Sequence, residues 1–195
     1  GYTGLWTAYY LKKADPSLNI VIVEKNFAGF GASGRNGGWL SGNFAWDHEK
    51  YLTTGTAGQI KAMAAHFHAS VDEVILVTEA EAIEADIHRT EELSVATNPA
   101  QLARLHPEVA RLHHWGDPRS FVETAKQSQV RVNIPGALGA IVTPGVARIQ
   151  PAKLVRGLAD VVARMGVQIF EQTAADTIVA GKVTTARGAV SCKFI

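Results

Sequence analysis

Cysteine is almost missing from this sequence. Cys192 stands alone, so no internal disulfide framework and no multi-cysteine zinc or iron–sulfur site can form. An excess of charge of one sign is missing too: 19 Lys and Arg face 18 Asp and Glu, a formal charge of 19 − 18 = +1. Coating nucleic acid or an anionic membrane needs a basic excess gathered on one face, so neither partner is expected. Long apolar runs are absent. The longest uncharged stretch, 132–147, is too short for a spanning helix and is broken by Pro135, Pro144 and three glycines. There is no internal repeat and no low-complexity tract. What is present, 195 residues at 47% hydrophobic and 19% charged, is the composition of a globular protein able to bury a sizeable core, as one domain or one domain plus part of another.

The chain starts at Gly1 without an initiator Met and runs at once into Tyr2-Thr3-Gly4-Leu5-Trp6. At its other end Ala189 to Ile195 alternates and then turns apolar, in the manner of a strand entering a core. Both features are read as those of a fragment. A targeting segment upstream stays open, and the default expectation is a cytoplasmic protein.

Leu5 to Ala14 has the spacing of a helix, with Leu5, Ala8 and Tyr9 inward, joined by Trp6 and Leu11, and closed by Asp15-Pro16. Asn19 to Glu24 is a β-branched run, which predicts a strand buried on both faces as in a parallel sheet. Helix followed by buried strand is half of a βαβ unit whose first strand would precede Gly1. Asn26 to Gly42 reads as a glycine-rich loop. Helical periodicity runs from about His48 to Ile83, through Ile60, Met63, Ala64, Phe67, Val71, Val74 and Ile75. Asp86 to Thr97 reads as a hairpin, Pro99 to His113 as a helix and Phe121 to Val146 as mixed and loop-rich. Pro151 to about Met165 is a clear helix stopped at Gly166. Four short strands follow, at Val167–Phe170, Thr177–Val179, Val183–Thr185 and Val190–Lys193, as a meander.

Two constellations carry chemistry. The first is Gly1-Tyr2-Thr3-Gly4, a helix, a strand, and Glu24, which stands 20 residues after Gly4 (24 − 4). In a dinucleotide-binding βαβ unit the glycines admit the pyrophosphate to the backbone, the helix N-terminus supplies N–H donors, and an acid about 20 residues on accepts from the ribose hydroxyls. An ordinary tight turn is the bland alternative for the glycines alone. The second constellation is Gly31-Ala32-Ser33-Gly34-Arg35-Asn36-Gly37-Gly38-Trp39, whose N–H groups, hydroxyl and guanidinium suit an anion. A flexible surface loop is its bland alternative, against which stands the apolar flank of Phe27, Phe30, Trp39 and Leu40.

Gly1 to Leu5, then Val21-Ile22-Val23-Glu24-Lys25, then Gly29 to Gly38 resemble the amino-terminal half of FAD-dependent oxidoreductases of the D-amino-acid oxidase superfamily. Within it they are most similar to the glycine and sarcosine oxidase and γ-glutamylputrescine oxidase branch. Ile149 to Leu158 and Gly166 to Thr173 fit as well, where the family's helix returns the chain to the FAD domain. The resemblance implies an α/β fold: a Rossmann-type FAD-binding core formed by two chain segments, with an inserted substrate-side α+β region, truncated at both ends. The implied organisation is 1–45 for the FAD-binding segment, 46–147 for the inserted region and 148–195 for the return.

It implies that Gly1, Tyr2, Thr3 and Gly4 lie along the pyrophosphate and that Glu24 holds the adenosine ribose, with Lys25 beside it. Ala32, Ser33, Arg35 and Asn36 would face the phosphates and ribityl chain. Gly37, Gly38, Trp39 and Leu40 would run under the isoalloxazine, and Ala175 would present backbone to the adenine. No histidine or cysteine occurs from Gly31 to Trp39, so FAD is expected to be held non-covalently. The implied activity is oxidation of the C–N bond of a small-molecule amine or amino acid, by hydride transfer to the flavin and hydrolysis of the resulting imine. The fingerprint's first strand and glycine lie outside the chain, as do the later FAD contact and the substrate-binding half, so the fragment itself is expected to be inactive. No catalytic acid or base is assigned. A nicotinamide-dependent Rossmann dehydrogenase and a non-catalytic fragment or binding module are the alternatives.

No metal site is expected. His66 and His68 are two apart, on different sides of a helix and outside any HExxH arrangement, and read as solvated, as do His113 and His114. Glu79, Glu81 and Glu84 read as a charged helix face. Cys192 reads as a small apolar group without a partner base.

Overall fold

The computed structural model describes residues 1–195. In chain order its helices are α1 (Tyr2–Ala14), α2 (Ala32–Arg35), α3 (Ala57–Ala80), α4 (Pro99–Trp115), α5 (Ala125–Arg131) and α6 (Pro151–Arg164), with a 3₁₀ helix at His48–Thr53. The strands are β1 (Val21–Val23), β2 (Trp39–Leu40), β3 (His88–Ala96), β4 (Phe121–Thr124), β5 (Gly139–Arg148), β6 (Gln168–Phe170), β7 (Ala175–Val179), β8 (Lys182–Thr185) and β9 (Gly188–Ser191). They sort into two compact units. The first is Gly1–Gly38, Thr78–Asp86 and Ile149–Ile195, and the second is Trp39–Val77 and Ile87–Arg148. No helix is long and apolar enough to cross a membrane.

In the first unit, α1 buries Leu5, Ala8 and Tyr9, three residues of one helical face, while of the others expected inward Trp6 is half-buried and Leu11 exposed. Lys12, one turn on, is buried as well, its stem covered and its Nζ donating to the Pro16 carbonyl at 2.9 Å. The helix ends where the Asp15 N–H reaches Leu11 O at 2.9 Å and Pro16 forbids continuation. β1 pairs with β6 in parallel, Val21 opposite Gln168, Ile22 opposite Ile169 and Val23 opposite Phe170. The expected burial of β1 on both faces is not found. Its three residues are all half-buried, and β6 is its single hydrogen-bonded neighbour.

Helix α6 packs against α1 and α2. Its start is set by Gln150, whose Oε1 accepts from Ala152 N at 2.8 Å and Lys153 N at 3.4 Å, with Pro151 at the first helical position. Leu154, Val155, Leu158, Ala159, Val161 and Val162 are its buried face. Leu158 is 0% exposed. Leu158→Ala is therefore expected to cost about 2 to 5 kcal/mol, a lost transfer energy plus a cavity. Thermal unfolding monitored by circular dichroism checks it, and a loss under about 1 kcal/mol, as at an exposed position, would contradict this packing. Of the four strands expected in a meander, the first, β6, pairs in parallel with β1 instead, and β7-β8-β9 alone form the antiparallel meander.

The second unit is built on β5. β3 lies along one side of it, while β4 and β2 pair with its other side. The hairpin expected in Asp86 to Thr97 is thus one continuous strand, and the segment expected to be loop-rich holds β4, α5 and the central strand. Pro144 and the glycines disguised β5. Pro144 sits beside the register shift between Thr90 and Glu91, where Gly145 (φ +84°) is the extra residue, so the missing N–H costs no regular ladder bond. α4 starts on Asn98, whose Oδ1 accepts from Gln101 N at 2.9 Å, and α5 on a Thr124/Gln127 capping box. α3 buries Ile60, Ala64, Val71 and Ile75, but Met63 and Phe67 of the expected stripe are exposed. α3 ends at Ala80, so Glu81 and Glu84 do not share a helix face with Glu79, and Glu81 accepts from the Tyr9 hydroxyl at 2.9 Å.

Candidate functional site

The first unit brings three separated stretches together. Gly1 is the N-cap of α1, so the N–H groups of Tyr2, Thr3 and Gly4 have no acceptor within the helix. Tyr2 N donates to Ser33 Oγ at 3.1 Å, which ties the helix start to α2. The Gly1 nitrogen lies 3.6 Å from Glu24 Oε2. Glu24 follows β1, with its own N–H on Phe170 O at 2.9 Å and its Oε1 accepting from Asn26 N at 3.0 Å. A Cβ at Gly4 would meet nothing within 4 Å. No acid occupies the first turn of α1, so the positive end of its dipole is uncompensated there. Backbone donors, open space and one carboxylate therefore share one locality, suited to a ligand bearing both an anionic group and hydroxyls.

The segment expected to be loop contains the single turn α2 and the two-residue strand β2. The Asn36 side chain is committed to that segment's own backbone. Its Nδ2 donates to Ala32 O at 3.2 Å and Ser33 O at 3.1 Å, and its Oδ1 accepts from Gly38 N at 2.9 Å. Ala32 and Gly37 are exposed, and Arg35 lies over the Phe30 ring, 4.6 Å from its centroid. Lys25 is exposed beside Glu24. The Tyr2 phenol donates to Pro151 O at 3.0 Å, and burial pushes its pKa up to about 12. Ala175 opens β7 and is exposed. Trp39, 77% exposed, and Leu40 form β2 in the second unit, opposite Arg148 and Ala147.

Sequence reasoning passed over Glu171. Its Oε1 accepts from Ala28 N at 2.8 Å and from Arg156 Nη1 at 3.0 Å, which fixes the loop after β1 against α6. No spacing rule announces a carboxylate that serves a backbone 143 positions away. His68 and His113, read as solvated, each have a partner: His113 Nε2 is 2.7 Å from Ser120 O and His68 Nδ1 is 2.8 Å from Arg119 Nη2. His48, given no role in the sequence reading, stacks on Trp115 at 5.5 Å and 9°.

Burial, and then the Arg111 guanidinium 3.2 Å away, hold the His48 pKa below its ordinary 6.5. The unfolded chain binds more protons between the depressed folded value and 6.5. This contribution to stability is therefore fully present above 6.5 and is lost as pH falls through the folded value. Glu108, lowered chiefly by its hydrogen bond from Arg111, acts in the same direction: its contribution is present above 4.5 and lost as pH falls. Thermal stability is expected to decline as pH is lowered through these windows. The His48 ring protons in an NMR titration should show a midpoint below 6.5, and a midpoint above that value would contradict the packing of this ring.

A family model described as FAD dependent oxidoreductase (DAO) matches residues 1–195. Gamma-glutamylputrescine oxidoreductase of Escherichia coli (strain K12) is 30% identical over 201 residues, which cover 100% of this chain and 46% of that protein. Among solved structures, glycine oxidase from Bacillus cereus ATCC 14579 aligns with a TM-score of 0.72 at 20% identity, over 97% of this chain and 50% of that one. L-Amino acid deaminase from Proteus myxofaciens, solved with anthranilate, aligns at 0.71 and 14% identity, over 96% and 41%. At such identities the structural likeness establishes the fold. The chain spans about half the length of the relatives it matches.

Proposed function

The chain belongs to the FAD-dependent oxidoreductase family, and on that premise we propose that the protein oxidises the C–N bond of a small amine or amino acid. The observation that carries this reading is the meeting of the α1 N-terminus, Glu24 and Ser33 in the first unit. These residues fit the cofactor. The open space beside Gly4 is a cradle that any side chain would fill, and the N–H groups of Thr3 and Gly4 have no helical acceptor. Glu24 Oε1 serves Asn26, and Oε2, 3.6 Å from the Gly1 nitrogen, is the oxygen proposed to accept from ribose hydroxyls.

The residues proposed to hold FAD are Gly1, Tyr2, Thr3, Gly4, Glu24, Lys25, Ala32, Ser33, Arg35, Asn36, Gly37, Gly38, Trp39, Leu40 and Ala175. Their roles differ. Tyr2 acts through its backbone, since its phenol is engaged with Pro151. Asn36 positions Gly38 and α2, and contacts the cofactor through the backbone it orders. Arg35, stacked on Phe30 with no ion pair, is the cation proposed for a phosphate. When bound, FAD supplies the two-electron acceptor for the carbon that bears nitrogen. Family membership favours it over the nicotinamide alternative, and attachment is proposed to be non-covalent. The relatives' printed names, an oxidoreductase of a glutamylated amine and an oxidase of glycine, support an amine or amino acid as substrate.

The test is a visible spectrum of the protein expressed at its full natural length, followed by anaerobic mixing with a panel of amines and amino acids. Bound flavin that is bleached by one of them is the expected result. Failure to bind FAD after reconstitution would end the proposal. Flavin bleached by hydroxy acids or polyols, and by no amine, would move the substrate class from C–N to C–O.

A further inference from the structure

The three residues after β6 hold the turn after β1 at every second position. Thr173 N donates to Glu24 O at 2.9 Å and Gln172 N to Asn26 O at 2.7 Å. Glu171 continues the series with its side chain, Oε1 accepting from Ala28 N at 2.8 Å. The same oxygen accepts from Arg156 Nη1 at 3.0 Å, and that nitrogen also donates to Ala28 O at 3.4 Å. One ion pair thus holds both backbone groups of a single residue. Ala28 is 3% exposed, so its N–H depends on the carboxylate and not on water.

The chain after Ala28 is seated on this turn by close contacts. Gly29 lies against Val155 of α6 with no room for a Cβ, and Gly34 of α2 lies as tightly against the Gly29 carbonyl. In the same helical turn Ser33 Oγ accepts from Tyr2 N at 3.1 Å, at the start of α1. α2 buries no residue of its own, so these contacts and not a packed core set its place. A continuous path therefore runs from Glu171 through Ala28, Gly29, Gly34 and Ser33 to the N-terminus of α1.

We propose that Glu171, paired with Arg156, is a positioning residue for the flavin site: it sets FAD affinity by holding Ala28, and through it α2, and not by contact with the cofactor. The proposal rests on the flavin reading above. Without the carboxylate the Ala28 N–H is left unsatisfied and the turn moves to find an acceptor. Ordering it again when FAD binds then subtracts from affinity. Because Oε1 alone carries both bonds, an amide oxygen can replace it. The charge itself contributes little, since the Arg156 and Glu171 side chains are 48% and 38% exposed.

The test uses the protein at its full natural length, as apoprotein titrated with FAD by flavin fluorescence quenching, with hydrogen exchange of the peptide carrying Ala28 read on the same samples. Glu171→Leu is expected to raise the FAD dissociation constant about tenfold to a hundredfold and to speed exchange at that peptide. Glu171→Gln should stay within about threefold of wild type and keep the peptide protected. Glu171→Asp, one methylene short of Ala28, should fall between them, and it carries the test if the leucine variant does not fold. Leu158→Ala, a core change in α6, is the control for lost stability alone, and below its unfolding transition it should leave FAD affinity unchanged. The proposal is wrong if neither the leucine nor the aspartate variant weakens FAD binding, or if glutamine weakens it as much as leucine. It is equally wrong if exchange at Ala28 does not change, or if Leu158→Ala shifts the affinity as far. A wild-type protein that binds no FAD would instead end the flavin reading, and this proposal with it.

Discussion

Glu24→Arg is expected to weaken FAD binding by about a hundredfold or more, and Glu24→Gln by about tenfold to a hundredfold. The proposed role of this carboxylate is to accept hydrogen bonds from the adenosine ribose. Glutamine keeps an acceptor without the charge that strengthens such bonds, and arginine presents only donors to hydroxyls and beside the Gly1 nitrogen. A purely local role would look different. Glu24 Oε1 also caps the turn after β1 through Asn26 N, and glutamine can fill that duty. Apoprotein unfolding should therefore be nearly unchanged in Glu24→Gln while the dissociation constant for FAD rises. Titration of apoprotein by flavin fluorescence quenching gives the second quantity and thermal unfolding the first. Equal FAD affinity in wild type and both variants would remove the ribose assignment.

Gly38 carries the largest expected effect on stability. Its φ is +75°, and a Cβ there would run into the carbonyl oxygen of Ile149, whose own N–H donates to Gly38 O at 2.8 Å. Gly38→Ala combines left-handed strain with a clash against backbone that has nowhere to yield, and should cost about 3 to 5 kcal/mol. For a chain of this length that corresponds to a fall in Tm of roughly 6 to 20 °C. Gly4→Ala is the contrasting case. Space beside Gly4 is open and the position is helical, so the apoprotein should be as stable as before or up to about 1 kcal/mol more stable. The same methyl group would occupy the proposed cofactor cradle, and FAD affinity should fall. Differential scanning calorimetry of the two apoproteins, with FAD titrations, separates a glycine required by the fold from one required by the ligand. A Gly38→Ala protein as stable as wild type would refute the close approach.

Some of this protein was determined by the sequence alone, and those parts are local. α1, α6 and the β7-β8-β9 meander follow from apolar spacing, caps and turn residues that lie within a few positions of one another. The return of the chain that brings Glu24 to the start of α1 was equally legible, since one helix and one strand lie between and their lengths constrain where the chain comes back. Tertiary structure alone decided the rest. β5 was hidden because Pro144 and Gly145 are penalised in any local rule and are tolerated only at a bulge opposite Thr90 and Glu91. β3 was split into a hairpin because nothing within it names a partner lying about 50 residues further along the chain. Asn36, expected to face the cofactor, spends its side-chain amide on its own segment, donating to the Ala32 and Ser33 carbonyls and accepting from Gly38 N–H, a set of partners that only the folded turn brings within reach. Pairing across long loops depends on which distant surfaces meet, and a residue's chemistry in such a place is set by neighbours that its own sequence window does not contain.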